Sequence, residues 1–383
     1  MKKSLFALAF GTLALGIAEF AMMGILSNVA ESLSVSVSAA GSLISAYAIG
    51  VCVGAPVLLF LRKMPLKNIL LLLVSLIFIG NLCSSLSGNY WMLMLFRFVS
   101  GLPHGAYFGV AAIIAERLSE PGKSTQAVAI MVSGMTVANL FGVPLGTALS
   151  NAFSWKWAFV LVAVWSLFTF FAIVKWVPQI GRLPHTPFKK QFSFLKSWAP
   201  WLIIGATLIG NGGVFCWFSY VNPMLLNISG FSVGSLTWLM MLAGLGMVMG
   251  NLIGAWLADR FKPGLVTCLV QLTMALSLVA MFVFSPEPWL AVPLMMLCAG
   301  GLFAAGSPLQ YMIIKFSKGG EMLGGASIQM AFNGGNALAA YLGGLVLIMG
   351  YDARYPALIG VPMALIGASL LFILHRRYEK VSD

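Results

Sequence analysis

Twelve runs of apolar residues, each about 20 long and separated by short polar breaks, fill nearly all of this 383-residue chain. They fall near residues 5–27, 41–61, 68–87, 90–115, 125–149, 157–177, 199–226, 235–258, 264–284, 289–314, 322–349 and 356–374. A run of that length crosses the ~30 Å hydrocarbon core of a bilayer as a helix. Helices suit that medium because each satisfies its own backbone hydrogen bonds. Composition agrees: 60% of residues are hydrophobic and 8% charged, against roughly 45–50% and 25% in soluble proteins. Such a chain cannot cover itself with polar surface in water, and the spans leave no room for a soluble catalytic domain. The predicted class is an all-α membrane protein with twelve transmembrane helices. The first run follows Met1, Lys2 and Lys3 as a signal peptide would, but it outlasts an ordinary apolar leader and carries Glu19. It is read as a retained span.

The net charge of +12 would suggest nucleic acid in a soluble protein. Here it reports topology. With the N-terminus inside, nineteen of the 22 Lys and Arg residues fall in inner segments, only Lys156 and Arg354 fall outside, and Arg97 lies within a span. The positive-inside rule therefore places both termini in the cytoplasm. The longest break, residues 178–198, is rich in Pro and basic residues and separates six spans from six. Three parts are expected: a six-helix bundle over 1–177, a cytoplasmic linker over 178–198 and a second bundle over 199–383. At an offset of 196–198 residues, Gly50 and Gly54 align with Gly246 and Gly250, Arg62 and Pro65 with Arg260 and Pro263, and Asn139 and Gly146 with Asn336 and Gly343. These coincidences support two pseudo-symmetric parallel repeats, an arrangement that puts a substrate site near the bilayer midplane between rocking halves. Glycines four residues apart (Gly50 and Gly54, Gly142 and Gly146, and Gly246, Gly250 and Gly254) allow close helix approach, in motion or in static packing.

Ionisable residues inside spans are costly and are functional candidates for that reason. Three lie well inside: Glu19 in the first span, Arg97 and His104 in the fourth. Arg97 and His104 are two turns apart on one face, ~10.5 Å along the axis. Glu19 and Arg97 reach similar depths, so facing helices would pair them. The pair is either a buried ion bridge or a proton site, with Glu19 exchanging the proton, Arg97 tuning its affinity and His104 as a second carrier. A polar lining is expected from Gln329, Asn333 and Asn336, which share one helix face, together with Asn139, Asn211, Phe215, Trp217, Tyr220 and Gln310. Amides offer donors and acceptors, and aromatic faces stack on sugar rings or flat drugs. Interhelical hydrogen bonding is the other reading of the same residues.

Catalysis has little to stand on. Gly122-Lys123-Ser124 looks like the end of a P-loop, but Arg117 occupies the position of its first glycine. No metal-ligand spacing or nucleophile elbow is present, and the five cysteines lie within apolar stretches. No cofactor is expected.

Over nearly its whole length the chain resembles the major facilitator superfamily, specifically bacterial drug:proton and sugar-efflux antiporters of the arabinose-efflux-permease type. The segment RFVSGLPHGAYFG, with Arg97, Gly101, His104 and Gly105, is similar to the helix 4 signature of that branch. Gly142-Val143-Pro144-Leu145-Gly146 resembles the antiporter motif of helix 5, with Val143 intervening and Thr147 in place of its last glycine. Gly254 to Asp259 and Arg260 resembles the motif that follows helix 8, where the acid forms a charge lock; its counterpart with Gly54 and Arg62 lacks the acid. Ala18-Glu19-Phe20 and Met23 to Leu26 resemble the branch's helix 1, with Ser27 where a proline is usual.

The resemblance implies a major facilitator fold and a monomeric antiporter in the bacterial inner membrane. It would export a sugar or drug-like solute against protons. The alternatives are an uncoupled facilitator, a lipid-like substrate flippase, a membrane-embedded enzyme and a receptor. The last two lack a catalytic constellation and a signalling domain.

Overall fold

The computed structural model describes residues 2–61, 63–183 and 187–379, and is helical almost throughout. Arg62, assigned a conformational role above, lies outside the described residues. Among the described residues twelve helices are long and apolar enough to cross a membrane. They are α1 (Lys2–Ser32), α2 (Val37–Leu61), α3 (Leu66–Leu86), α4 (Tyr90–Arg117), α5 (Ser124–Ala152), α6 (Lys156–Trp176), α7 (Trp198–Asn227), α8 (Val233–Arg260), α9 (Pro263–Phe284), α10 (Pro288–Phe316), α11 (Glu321–Ile348) and α12 (Tyr355–Glu379). A short 3-10 helix, Phe188–Lys196, occupies the longest break.

Local chemistry sets the helix ends. Asn89 caps α4 by accepting the Met92 N–H at 2.9 Å. Proline opens α9 and α10 at Pro263 and Pro288, where a missing N–H removes no helical bond. The turns before α5 and α11 each need a left-handed residue, supplied by Gly122 (φ 76°) and Gly319 (φ 80°). These glycines are 197 residues apart, inside the offset of the sequence repeat.

The chain forms two compact units. The first comprises Met1–Glu120, Ile130–Ser193 and Lys318–Met330; the second comprises Pro121–Ala129, Phe194–Ser317 and Ala331–Asp383. The start of α5 thus belongs with the second unit, and the start of α11 with the first. Within each unit one helix pair is pressed together by the glycines of the repeat. In the first, a Cβ on Gly50 or Gly54 of α2 would meet the carbonyl oxygens of Phe98 or Leu102 on α4. In the second, Gly246, Gly250 and Gly254 of α8 stand in the same way against Met296, Gly300 and Ala304 of α10. Packing between small residues replaces the hydrophobic effect, which is missing between helices in lipid.

Three helices carry a π turn, the one in α12 at its end, His375–Glu379. In α5 it covers Ala138–Gly142, directly before Pro144. Pro144 lacks an N–H and its ring crowds the carbonyl four residues earlier, so a widened turn relieves the clash. In α7 the π turn covers Ala206–Asn211. Its loosened Ala206 carbonyl accepts Gln271 Nε2 from α9 at 3.0 Å. Outward faces are apolar: Phe60, Leu276 and Trp238 are each more than two-thirds exposed, as lipid-facing side chains would be.

Candidate functional site: a buried ionisable cluster

Four side chains from three helices of the first unit meet in its interior: Glu19 of α1, Tyr47 of α2, and Arg97 and His104 of α4. Backbone proximity brings them together. A Cβ on Gly101 of α4 would strike the Tyr47 carbonyl, so α2 and α4 nearly touch one turn before His104. On the far side of α1, Gly142 of α5 lies against Ile17, and a Cβ on Gly146 would stand 3.5 Å from that of Ala21. The α5 glycines therefore seat α1 on either side of Glu19.

Arg97 is fully buried. Its Nη1 donates to the Ala18 carbonyl at 2.7 Å and its Nε to the Leu43 carbonyl at 3.4 Å. The guanidinium lies 4.5 Å from the Tyr47 ring centroid and 5.7 Å from that of Phe159. The direct Glu19–Arg97 pair expected from sequence does not form among the described residues. Backbone carbonyls and aromatic faces hold the cation instead, one residue along α1 from the carboxylate. Depth along each helix was readable from sequence; the direction taken by a long, flexible side chain was not.

Glu19 faces His104. Its Oε2 stands 3.9 Å from His104 Nε2, and neither atom has a hydrogen-bond partner among the described residues. The other imidazole nitrogen, Nδ1, is 2.8 Å from the Tyr47 hydroxyl. Phe108 stacks on the ring at 5.3 Å with an interplanar angle of 15°. Gln329, on the part of α11 that belongs to this unit, also approaches the imidazole. That approach is possible because α4 carries Gly105 and Gly109 where it meets α11: a Cβ on Gly109 would lie 2.6 Å from the Met322 carbonyl. Sequence reasoning missed Tyr47. A lone tyrosine in an apolar run has no charge to mark it.

A second polar constellation lies in the second unit. Both Asp259 oxygens accept backbone N–H groups at the start of α5, from Thr125 and Gln126, each at 2.8 Å. A carboxylate there satisfies first-turn donors that have no partner in their own helix and complements the helix dipole. Two turns back along α8, the fully buried Asn251 donates to the Ala129 carbonyl at 2.8 Å and accepts the Ser307 hydroxyl at 2.5 Å. Asn251 was also missed. Arg260 stands 5.5 Å from the Trp256 ring centroid, and Gly254 packs on α10.

The residues expected to line a polar cavity take varied positions. Asn139, inside the π turn of α5, donates to Met135 of its own helix at 3.0 Å. Asn211 accepts Gln271 Nε2 at 2.9 Å and reaches the Leu302 carbonyl at 3.5 Å, binding α7 to α9 and α10. Trp217 is buried with its indole N–H on the Met224 sulfur at 3.1 Å, and Tyr220 donates to the Ala340 carbonyl at 2.7 Å. Phe215 packs edge-on against Phe332 of α11 at 5.1 Å. Gln310 and Asn333 are buried, while Asn336 is half-buried. Of the α11 stripe, Gln329 falls in the first unit and Asn333 and Asn336 in the second.

Comparison with known proteins gives a consistent result. A family profile described as Major Facilitator Superfamily matches residues 8–326. The chain is 46% identical to "Putative transporter AraJ" of Escherichia coli (strain K12), over 99% of this chain and 96% of that protein. It is 25% identical to a "Probable sugar efflux transporter" of Helicobacter pylori (strain ATCC 700392 / 26695), over 86% of this chain and 84% of the other. Among solved structures, the proton:xylose symporter XylE superposes with a TM-score of 0.74 at 12% identity, covering 97% and 95% of the two chains. That likeness is one of fold.

Proposed function

The chain belongs to the Major Facilitator Superfamily, and on that premise we propose that this multi-pass membrane transporter exports a small sugar-like or drug-like solute in exchange for protons. One observation carries the coupling: in the interior of the first unit, a carboxylate and an imidazole face each other across 3.9 Å, with neither facing atom hydrogen-bonded among the described residues. Buried ionisable groups in a membrane are expensive, and a group left partnerless gains its partner when a proton arrives or leaves.

In the proposed cycle Glu19 binds a proton while the site opens outward and releases it when the site opens to the cytoplasm. Arg97, fixed on the Ala18 and Leu43 carbonyls, stands as a stationary cation beside the carboxylate. The solute occupies the site in the opposite phase. Uncharged donors and acceptors at Asn333, Asn336, Gln310 and Gln329, with the aromatic faces of Phe215, Trp217 and Tyr220, suit a sugar or a flat drug. Asn139 and Asn211 contribute to the same lining by shaping their helices. The relative named as a sugar efflux transporter supports the sugar class and the outward direction.

The moving bodies are the two six-helix bundles, 1–177 and 199–383, joined by the 178–198 linker. Gly54, Gly142, Pro144, Gly146, Gly254 and Arg260 are assigned to the conformational change, and Arg62 by its place in the sequence. Asp259 latches the start of α5 in one phase and lets go in the other. The basic segments place both termini and the linker in the cytoplasm of an inner membrane, and a monomer suffices for the cycle.

The test is purified protein in proteoliposomes, offered radiolabelled pentoses and hexoses with and without an imposed pH gradient. Accumulation that requires the gradient supports the reading. Equilibration without accumulation would mean an uncoupled facilitator, and movement of labelled phospholipid alone a flippase.

A further inference from the structure

The Tyr47 hydroxyl is buried, and His104 Nδ1 at 2.8 Å is its one hydrogen-bond partner among the described residues. Two arrangements are conceivable. If Nδ1 carried the hydrogen, it would donate to the phenol oxygen, and the phenol hydrogen would point at no acceptor. If the phenol donates, every hydrogen at this contact is used, because neutral imidazole has one donor and one acceptor nitrogen. Each arrangement leaves one hydrogen outside this contact, and the surroundings separate the two: the phenol hydrogen would face no acceptor among the described residues, whereas an Nε2 hydrogen faces the Glu19 carboxylate. The imidazole hydrogen then sits on Nε2, the atom that faces Glu19 Oε2 at 3.9 Å.

We propose that Tyr47 is a positioning residue of the proton site: its hydroxyl fixes His104 as a neutral ring with its hydrogen on Nε2, directed at Glu19. The proposal rests on the proton-coupling reading above. It also divides the labour within that reading. A second proton could enter His104 only at Nδ1, and that would turn the Tyr47 hydroxyl away from its acceptor. It would also set an imidazolium close to the Arg97 cation, whose guanidinium lies 4.5 Å from the Tyr47 ring centroid. The groups facing the imidazole accommodate that tautomer. From α1, the Glu19 carboxylate faces Nε2–H; from α2, Tyr47 donates to Nδ1; from α11, the Gln329 amide approaches the ring. On α4 itself, Arg97 repels a second cation and Phe108 stacks on the ring without hydrogen-bonding it. Glu19 therefore carries the proton alone, and His104 is the donor that senses its charge. Ionised Glu19 draws Nε2–H towards itself; protonated Glu19 releases it to the α11 side.

The experiment is nitrogen-15 NMR of histidine-labelled full-length protein in lipid nanodiscs, between about pH 5 and 8, the range in which imidazole ordinarily titrates. His104 signals are assigned by their loss in His104→Gln. Wild type should show a single neutral tautomer with hydrogen on Nε2 throughout. Tyr47→Phe, which removes one oxygen and keeps the ring beneath Arg97, should show mixed tautomers or a ring that charges within the range. Its proton-driven transport should gain a second pH-dependent step. A wild-type His104 with hydrogen on Nδ1, or one that titrates alike in both proteins, overturns the proposal. The tautomer is read without any transport assay, so its failure is distinguishable from a failure of proton coupling.

Discussion

Asp259→Asn isolates one electrostatic contact and gives it a size. The wild-type carboxylate accepts two backbone hydrogen bonds of 2.8 Å from Thr125 and Gln126. Those N–H groups sit in the first turn of α5, which starts at Ser124, so no carbonyl of their own helix can receive them. Asparagine keeps one acceptor oxygen and loses the charge. One hydrogen bond disappears, at about 1 kcal/mol net, and the dipole term falls by up to about 1 kcal/mol at a half-buried helix end. The opening equilibrium of this contact should shift by about 1–2 kcal/mol, a factor of roughly 5–30. Hydrogen–deuterium exchange reads it directly: amides at Thr125 and Gln126 should exchange 5- to 30-fold faster in the variant, while those in the middle of α4 keep their rates. Unchanged exchange at Thr125 and Gln126 would refute the reasoning, because among the described residues these two bonds are what protects them.

Gly54→Ala and Gly250→Ala should each lower thermal stability by about 1–3 kcal/mol, because the added methyl meets the carbonyls of Leu102 and Gly300. Gly41→Ala in α2, with nothing within 4 Å, should be neutral or slightly stabilising; fluorescence-detected melting in detergent ranks the three. Gln271→Ala leaves the Ala206 carbonyl and Asn211 without their donor and should cost about 1–3 kcal/mol, whereas Asn139→Ala, which loses a bond to its own helix, should cost well under that. In the loop between α11 and α12, the hydrogen bonds from Arg354 hold the Asp352 carboxyl below the usual carboxylate range. A depressed folded-state value contributes stability above the unfolded value and loses it as pH falls through the folded one. Asp352→Asn should therefore lower the melting temperature slightly at pH 7, by at most about 1 kcal/mol for so exposed a pair, and the difference should vanish in strong acid.

The twelve helices were legible because bilayer thickness imposes a length on every apolar run, and the repeat was legible because Gly50, Gly54, Gly246 and Gly250 do the same steric work in both halves. Glu19, Arg97 and His104 stood out as charges where charge is costly. Their partners did not. Arg97 ends on carbonyls and an aromatic face, and no spacing rule says which way a guanidinium turns. Tyr47, Asn251 and Gln271 are uncharged polar residues on largely apolar helices, and nothing in their periodicity separates a buried hydrogen bond from a lipid-facing side chain. The π turn of α5 had a visible cause in Pro144. The one in α7 had none, since Ala206–Asn211 contains no proline.

Glu19→Gln tests the central claim most directly. Glutamine keeps the volume and the hydrogen-bonding capacity of the side chain but cannot give up a proton. In proteoliposomes with an imposed pH gradient, the variant should fail to concentrate labelled sugar while still exchanging it down its own gradient, with expression and melting temperature checked in parallel. Concentration of the sugar to the wild-type level would contradict the account, leaving Glu19 a structural residue and the coupling site elsewhere.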